Sequence, residues 1–255
     1  MIDLLRQELY KMVHQKSIQF SPLILFSLML FVGFASIHTG DLNDYISQGF
    51  AAAQWLDILI IIASANIISM EFEHGTIKHL IAQHNQRLLI YLSKMIVIGI
   101  YCVVLHLCAF IFAIVVKYAV YGNSYPFSAI YDNHQTVMQN LLTSILSNLF
   151  SCLLVVTVVF LIASLSRTSS IAAVVGVLFI FMATAVSRIL INTVGRALPS
   201  IKWNPGNMFN VAFQFLTPDV YQQSMLTNTQ LVIGNLIWAV IFIALGYGAF
   251  KRKRI

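Results

Sequence analysis

Charge is what this sequence has least of. Only 9% of its 255 residues are Asp, Glu, Lys or Arg, where a soluble domain carries about a quarter. That deficit, with 59% hydrophobic residues and a mean hydropathy of +0.83, excludes a water-solvated globule. Cysteine is nearly absent as well. Cys102, Cys108 and Cys152 all fall inside apolar runs, so they read as buried small hydrophobes rather than disulfide partners or metal ligands. Catalytic signatures are missing: the chain has no Gly-Lys-Ser/Thr phosphate loop, no Gly-x-Ser-x-Gly elbow and no convincing acid pair. No cofactor is therefore expected on this chain, and any use of ATP with Mg belongs to another one. His74, His79 and His84 are spaced by five. On a helix that step turns successive rings roughly 140° apart, so they share no face and make no metal site.

What is present is a set of long apolar runs. A bilayer core takes about twenty apolar residues per helix, and six runs qualify: residues 18–38, 50–70, 95–117, 137–166, 170–192 and 231–250. Backbone groups in lipid must bond internally, so each run is a helix and the class is an all-α integral membrane protein. The first run, preceded by Arg6, Lys11 and Lys16, has some look of a secretory signal. Its apolar part is long for a signal core, and it reads as a span. The whole of 1–255 then forms one transmembrane domain.

Lys and Arg are retained on the cytoplasmic side of membrane proteins. With both termini inside, eleven of the fifteen basic residues lie inside, and only Lys117, Arg188, Arg196 and Lys202 lie outside. This places the protein in the cell's inner or cytoplasmic membrane with both termini cytoplasmic. The net charge of +6 is a topological signal. Its dispersal along membrane borders argues against a nucleic-acid partner.

Residues 1–17 repeat apolar positions at Ile2, Leu5, Leu9, Met12 and Val13, with polar groups at Asp3, Arg6, Gln7, Lys11 and His14. That spacing predicts an amphipathic helix lying in the inner interface, with a change of direction before Pro22. Residues 71–94, between the second and third spans, form a charged connector that is expected to stand in water. Gly75 supplies an unrestricted backbone position. Thr76 is placed to cap a short helix from Ile77, whose apolar positions Ile77, Leu80 and Ile81 recur at helical spacing, with Lys78 and His79 facing elsewhere.

Glu71-x-Glu73-x-Gly75-Thr76-Ile77, then Leu80-Ile81, then Arg87 and Lys94, resembles the cytoplasmic connector of type-2 ABC exporter permeases. There Glu-x-Glu-x-Gly-Thr-Leu opens a coupling helix and Arg and Lys lead into the third span. The chain departs from that pattern at His84, Gln86 and Ser93, where the family often has Pro, Ser and Gly. The resemblance implies that Glu71, Glu73, Gly75, Thr76, Ile77, Lys78, Leu80, Ile81, Arg87 and Lys94 couple the permease to cytoplasmic ABC ATPase subunits. It also implies a dimer with a second copy or a related permease, and export of a hydrophobic or amphipathic substrate such as a peptide toxin, bacteriocin or drug. The chain itself would be a transport subunit in contact with membrane lipid, not an enzyme.

The family architecture further implies short outer helices between spans five and six. Residues 193–230, with Pro199, Trp203-Asn204-Pro205-Gly206 and an apolar cluster from Met208 to Leu216, fit a re-entrant or interfacial segment better than a seventh crossing. The tail, 251–255, is basic. Ionisable groups inside spans are costly and often functional, which singles out Asp57, Arg188 and His106. Asp57 and Arg188 lie at matching depths, so a pair is conceivable. Snorkelling of Arg188 to the interface and a water-exposed mouth at Asp57 is the plainer reading, as is a hydrogen-bonded core role for His106. The alternative classes are an ion-coupled secondary transporter or a membrane-embedded enzyme. The first commonly shows an internal repeat with broken spans, and no clear repeat is visible here.

Overall fold

The computed structural model describes residues 2–38, 42–77, 86–131, 134–195 and 197–253. Within these residues the chain is all-helical, without a strand. Each apolar run closes its backbone hydrogen bonds on itself, as lipid offers no partners. Helix α1 is Ile2–Val13, α2 Lys16–Ala35, α3 Leu42–Ser47, α4 Ala52–Glu73, α5 Arg87–Tyr121, α6 Val137–Leu165 and α7 Ser169–Val194. Three short helices follow, α8 Pro205–Met208, α9 Asn210–Leu216 and α10 Tyr221–Ser224, before the last long one, α11 Asn228–Arg252. Among the described residues, six helices are long and apolar enough to cross a membrane. They coincide with the six runs read from the sequence.

Helix α6 is the axis of the bundle. It packs against α4, α5, α7, α9 and α11, and 67% of its most apolar stretch is buried, against 28% in α2 and α7. A capping box opens it, with Thr136 accepting from the Gln139 amide and the Gln139 side chain accepting from the Thr136 amide. Asn140, Ser144, Ser147, Asn148 and Ser151, all buried, line one side of this helix. At Gly246 of α11 an added Cβ would clash with the Tyr91 hydroxyl of α5 and touch the Leu161 backbone of α6. Small residues of this kind let membrane helices pack where no hydrophobic force separates lipid from protein.

Pro22 lies within α2, and the chain turns at residues 14–15, between α1 and α2. A proline inside a helix leaves the carbonyl four residues earlier without its donor. Here Ser21 Oγ donates to the Ile18 carbonyl at 2.6 Å, and the Tyr101 hydroxyl donates to Ser21 Oγ at 2.7 Å. That local repair lets the helix run through.

Helix α1 buries Leu4, Glu8 and Met12 and leaves Ile2 and Val13 exposed. One expectation is corrected: the ends of the connector, expected to stand in water, are buried, since α4 continues to Glu73, α5 begins at Arg87, and Glu71 and Lys94 are buried. Between α7 and α11 the described chain forms only short helices, held by polar side chains. Asn207 donates to the Lys202 and Ser224 carbonyls at 2.6 and 2.9 Å, and Gln214 to the Leu226 carbonyl at 2.9 Å.

Between α3 and α4, Gly49, Phe50 and Ala51 all have positive φ, 60°, 55° and 60°. For a side chain with a Cβ this left-handed region costs about 1–2 kcal/mol. Phe50 is held there by complete burial and by stacking on Tyr121 at 6.2 Å. Ala51→Gly should therefore raise stability by roughly 1 kcal/mol, read as a higher unfolding midpoint of the detergent-solubilised protein. Gly49→Ala should lower it.

Candidate functional site

The two roots of the connector meet in a closed ring of four charges. Lys94 Nζ, 1% exposed, donates to Glu8 Oε2 at 2.7 Å and lies 2.9 Å from Glu71 Oε2. Lys11 Nζ donates to Glu8 Oε1 at 3.0 Å and to Glu71 Oε1 at 2.8 Å. The Lys94–Glu71 contact is a charge contact without hydrogen-bond directionality, as Glu71 Oε2 has no hydrogen-bond partner. Two acids and two bases cancel, which is what makes burial of three of them tolerable. Because Glu8 and Lys11 belong to α1, Glu71 to α4 and Lys94 to α5, the ring joins the N-terminal helix to both arms of the connector. An adjoining cavity of about 240 Å³ is lined by Met12, Asn66, Met70, Glu71, His74 and Thr76 among others.

Burial is the largest influence on Glu8 and opposes its ionisation. The charge and hydrogen bond of Lys94, aided by Lys11, outweigh it and hold the carboxyl below the usual carboxylate range. Burial likewise opposes the charge on Lys11, and Glu71 with Glu8 reverses the balance, raising its ammonium above the ordinary lysine value. A lowered carboxyl contributes stability above its unfolded value and loses it as pH falls through the folded one. A raised ammonium contributes below its unfolded value and loses it as pH rises through the folded one. Both contributions are therefore complete across the neutral range.

Other charges at this end of the bundle bind helix termini. Glu73 Oε2 accepts from the Ser169 amide at 3.1 Å and the Ser169 hydroxyl at 3.0 Å, placing an anion on the N-terminal turn of α7, where the helix dipole favours it. Arg87 Nη1 donates to the Lys251 carbonyl near the end of α11. Lys253 Nζ donates to the Ala163 and Ser166 carbonyls at 3.1 and 2.7 Å, capping the C-terminus of α6. The first tail residues are thus bound into the bundle.

Gly75 has φ +70° and nothing within 4 Å of an added Cβ, so the backbone and not the space selects glycine there. The Thr76 hydroxyl donates to the Glu71 carbonyl at 3.5 Å and Ile77 is buried. Lys78, Leu80 and Ile81, with the short helix they are expected to form, lie outside the described residues.

At the opposite end of the bundle, Asp57 is half-buried in the wall of a cavity of about 150 Å³ between α4, α6, α7 and α9. Asp57 Oδ1 is closed off and makes no hydrogen bond among the described residues. Asn148 Oδ1 lies 2.8 Å from His106 Nε2, and His106 Nδ1 lies 2.7 Å from the Cys102 carbonyl. A carbonyl only accepts, so Nδ1 carries a proton. With the Asn148 oxygen toward the ring Nε2 donates as well; with the amide turned over the Asn148 nitrogen donates to Nε2 and the ring is neutral. Arg188 is exposed beside a separate cavity with Thr184, Asn210 and Thr217, and among the described residues it makes no ion pair with Asp57. Cys102 and Cys152 are buried neighbours with free thiols, Sγ atoms 3.2 Å apart. No group of His, Cys, Asp or Glu among the described residues is arranged to hold a metal.

Two features escaped sequence reasoning. Glu8 carries a signal, a polar residue four positions from both Leu4 and Met12 on what becomes the packed face. The polar side of α6 carries another, since Asn140, Ser144, Ser147, Asn148 and Ser151 recur at helical spacing inside a span.

The fold defines a multi-pass helical membrane protein. The chain belongs to the ABC-2 family of transporter proteins, matching it over residues 4–196. It is 26% identical over 202 residues, 78% of each chain, to the uncharacterized membrane protein YdbK of Bacillus subtilis (strain 168). It is 30% identical over 209 residues to the uncharacterized protein YhcI of the same organism, covering 78% of this chain and 64% of that one.

Neutralising one member of the ring leaves a buried charge uncompensated. Glu8→Gln should cost about 3–5 kcal/mol, whereas Lys11→Met should cost less, because Lys11 is 43% exposed and water can take over part of its role toward Glu8 and Glu71. Adding Lys94→Met to Glu8→Gln should recover part of the loss. Unfolding midpoints in detergent check the order. Lowering the pH from 7 to below about 4 should destabilise the wild type more than Glu8→Gln.

Proposed function

We propose that this chain is the membrane permease subunit of an ATP-driven ABC exporter. Its family membership places it among transporter membrane components, which work with ABC ATPase subunits in general. In the finer reading, two copies, or one copy and a related permease, line the substrate pathway, and two separate ATPase subunits bind ATP and Mg beneath them. Residues 71–94 face the cytoplasm, as the distribution of Lys and Arg suggests. The substrate is hydrophobic or amphipathic.

The observation that carries this reading is the anchorage of the connector. Its roots are tied to α1 through Glu71 and Lys94, to α7 through Glu73 and to α11 through Arg87. A push on the connector would therefore reach several membrane helices together instead of being absorbed by a slack loop. Gly75, in the left-handed region, sets the angle at which the segment from Thr76 leaves α4.

Alone, the purified protein should hydrolyse no ATP. Co-expressed with a partner ABC ATPase, it should be recovered as a complex of two membrane and two ATPase subunits by native mass spectrometry. Replacing Gly75 and Thr76 together by Leu should leave that complex intact and uncouple ATP hydrolysis from transport in proteoliposomes. Wild-type transport by the double variant would overturn the coupling role. A single cysteine at position 79 should be labelled by an impermeant reagent only after the cells are opened.

A further inference from the structure

Where α6 and α11 end side by side, their flanks leave a groove of about 630 Å³. Leu161 and Leu165 of α6 form one wall, Leu245 and Gly248 of α11 the other, and Arg252 and Lys253 stand at the mouth. From Ala244 to Arg252 the groove follows α11 for about 12 Å, most of the roughly 15 Å depth of one leaflet's hydrocarbon. Ser164 also lines it, but its hydroxyl is turned back onto the Phe160 carbonyl at 2.7 Å. No Asp or Glu is among the lining residues. The floor is therefore apolar and the mouth cationic.

Two helix C-termini meet here, and together they carry about one negative charge. Lys253 answers it directly, with its ammonium bound to the Ala163 and Ser166 carbonyls of α6. Arg252 is left over. It is exposed and takes part in none of the ion pairs among the described residues. Gly248 points the same way. Glycine inside a helix is less favourable than alanine, and at Gly246 packing explains it, because an added Cβ would clash with Tyr91. At Gly248 nothing lies within 4 Å of an added Cβ, so packing within the chain does not account for it. It leaves the α11 wall of the groove bare of side chain.

We infer that this groove binds an anionic phospholipid of the adjoining leaflet, with one acyl chain along Leu161, Leu245 and Gly248 and the headgroup phosphate on Arg252. Arginine suits a phosphate because its planar fork donates two parallel hydrogen bonds. Basic pockets between membrane helices on the cytoplasmic side bind such headgroups, and the distribution of Lys and Arg puts this end of the bundle inside. The lipid lies across the seam between α6 and α11, beside the place where Arg87 donates to the Lys251 carbonyl. It thus braces the second root of the connector. Binding itself does not depend on the exporter reading above.

The test is native mass spectrometry of the purified full-length protein in detergent, titrated with dioleoyl phosphatidylglycerol or with dioleoyl phosphatidylcholine, which has the same chains and no net charge. Wild type should take up its first phosphatidylglycerol about fivefold more tightly than its first phosphatidylcholine, the factor one basic residue supplies beside an anionic lipid. Arg252→Gln should remove most of that preference. Lys251→Gln, which removes an exposed cation outside the groove lining, should keep it. Gly248→Leu, which fills the groove without touching charge, should weaken uptake of both lipids, with an unchanged unfolding midpoint showing that the fold survives. Equal affinity for the two lipids in wild type, or equal loss of preference in Arg252→Gln and Lys251→Gln, would overturn the inference. So would a dimer that Gly248→Leu splits while lipid uptake stays at the wild-type level, which would give the groove to a second copy of the chain. Selective, Arg252-dependent uptake by a protein that couples to no ATPase would leave the lipid site standing and remove only the exporter reading.

Discussion

A ring of two carboxylates and two ammonium groups, most of it shielded from water, governs one end of this protein. Burying a single charge there would cost several kcal/mol. The ring is tolerable only because Glu8, Lys11, Glu71 and Lys94 complete one another, and it can be complete only if α1, α4 and α5 are all in place. That requirement acts as a geometric constraint. It fixes how α1 is rolled, which is why Leu4, Glu8 and Met12 face inward in place of the more apolar stripe beside them. It also fixes the separation of the two arms from which the connector hangs.

The same end is reinforced by weaker contacts of one kind, charges at helix termini. Glu73 sits at the start of α7 and Lys253 at the end of α6, each sign matched to the partial charge of the terminus it meets. Arg87 adds a hydrogen bond near the end of α11. These groups stand at the edge of the apolar layer, where backbone ends must find partners. The opposite end is organised by neutral polar groups along α6 and by the side chains of Asn207, Gln214 and Ser224 under the short helices. Charge thus organises one end, and amide and hydroxyl groups the other. Asp57 is the exception, a carboxyl set among the neutral groups with part of its bonding capacity unused.

Much of the architecture was legible because lipid imposes a strong rule. Twenty apolar residues in a row can do little except cross as a helix, and the six runs became α2, α4, α5, α6, α7 and α11. The connector was legible as a charged segment with unusual residues at Glu71, Glu73, Gly75, Arg87 and Lys94. Its burial at the roots was not, since a count of charges cannot reveal that Lys94 finds a carboxylate 86 positions away. Helix ends were misjudged for a related reason: α5 extends inward to Arg87, beyond its apolar core, since a helix needs only bonded backbone and satisfied polar side chains to continue.

By itself, then, the sequence determined that the chain is a helical membrane protein with six spans and a charged segment between the second and third. Those properties depend on local composition and on spacing along one chain. Only the tertiary structure decided which charges neutralise which, how α1 is rolled, that Arg188 and Asp57 do not pair among the described residues, and that His106 on α5 meets Asn148 on α6. Each of these depends on distances between segments far apart in sequence. Hydrophobicity is indifferent to which helix packs on which, whereas an ion pair or hydrogen bond is strong only over a few ångströms and in one direction.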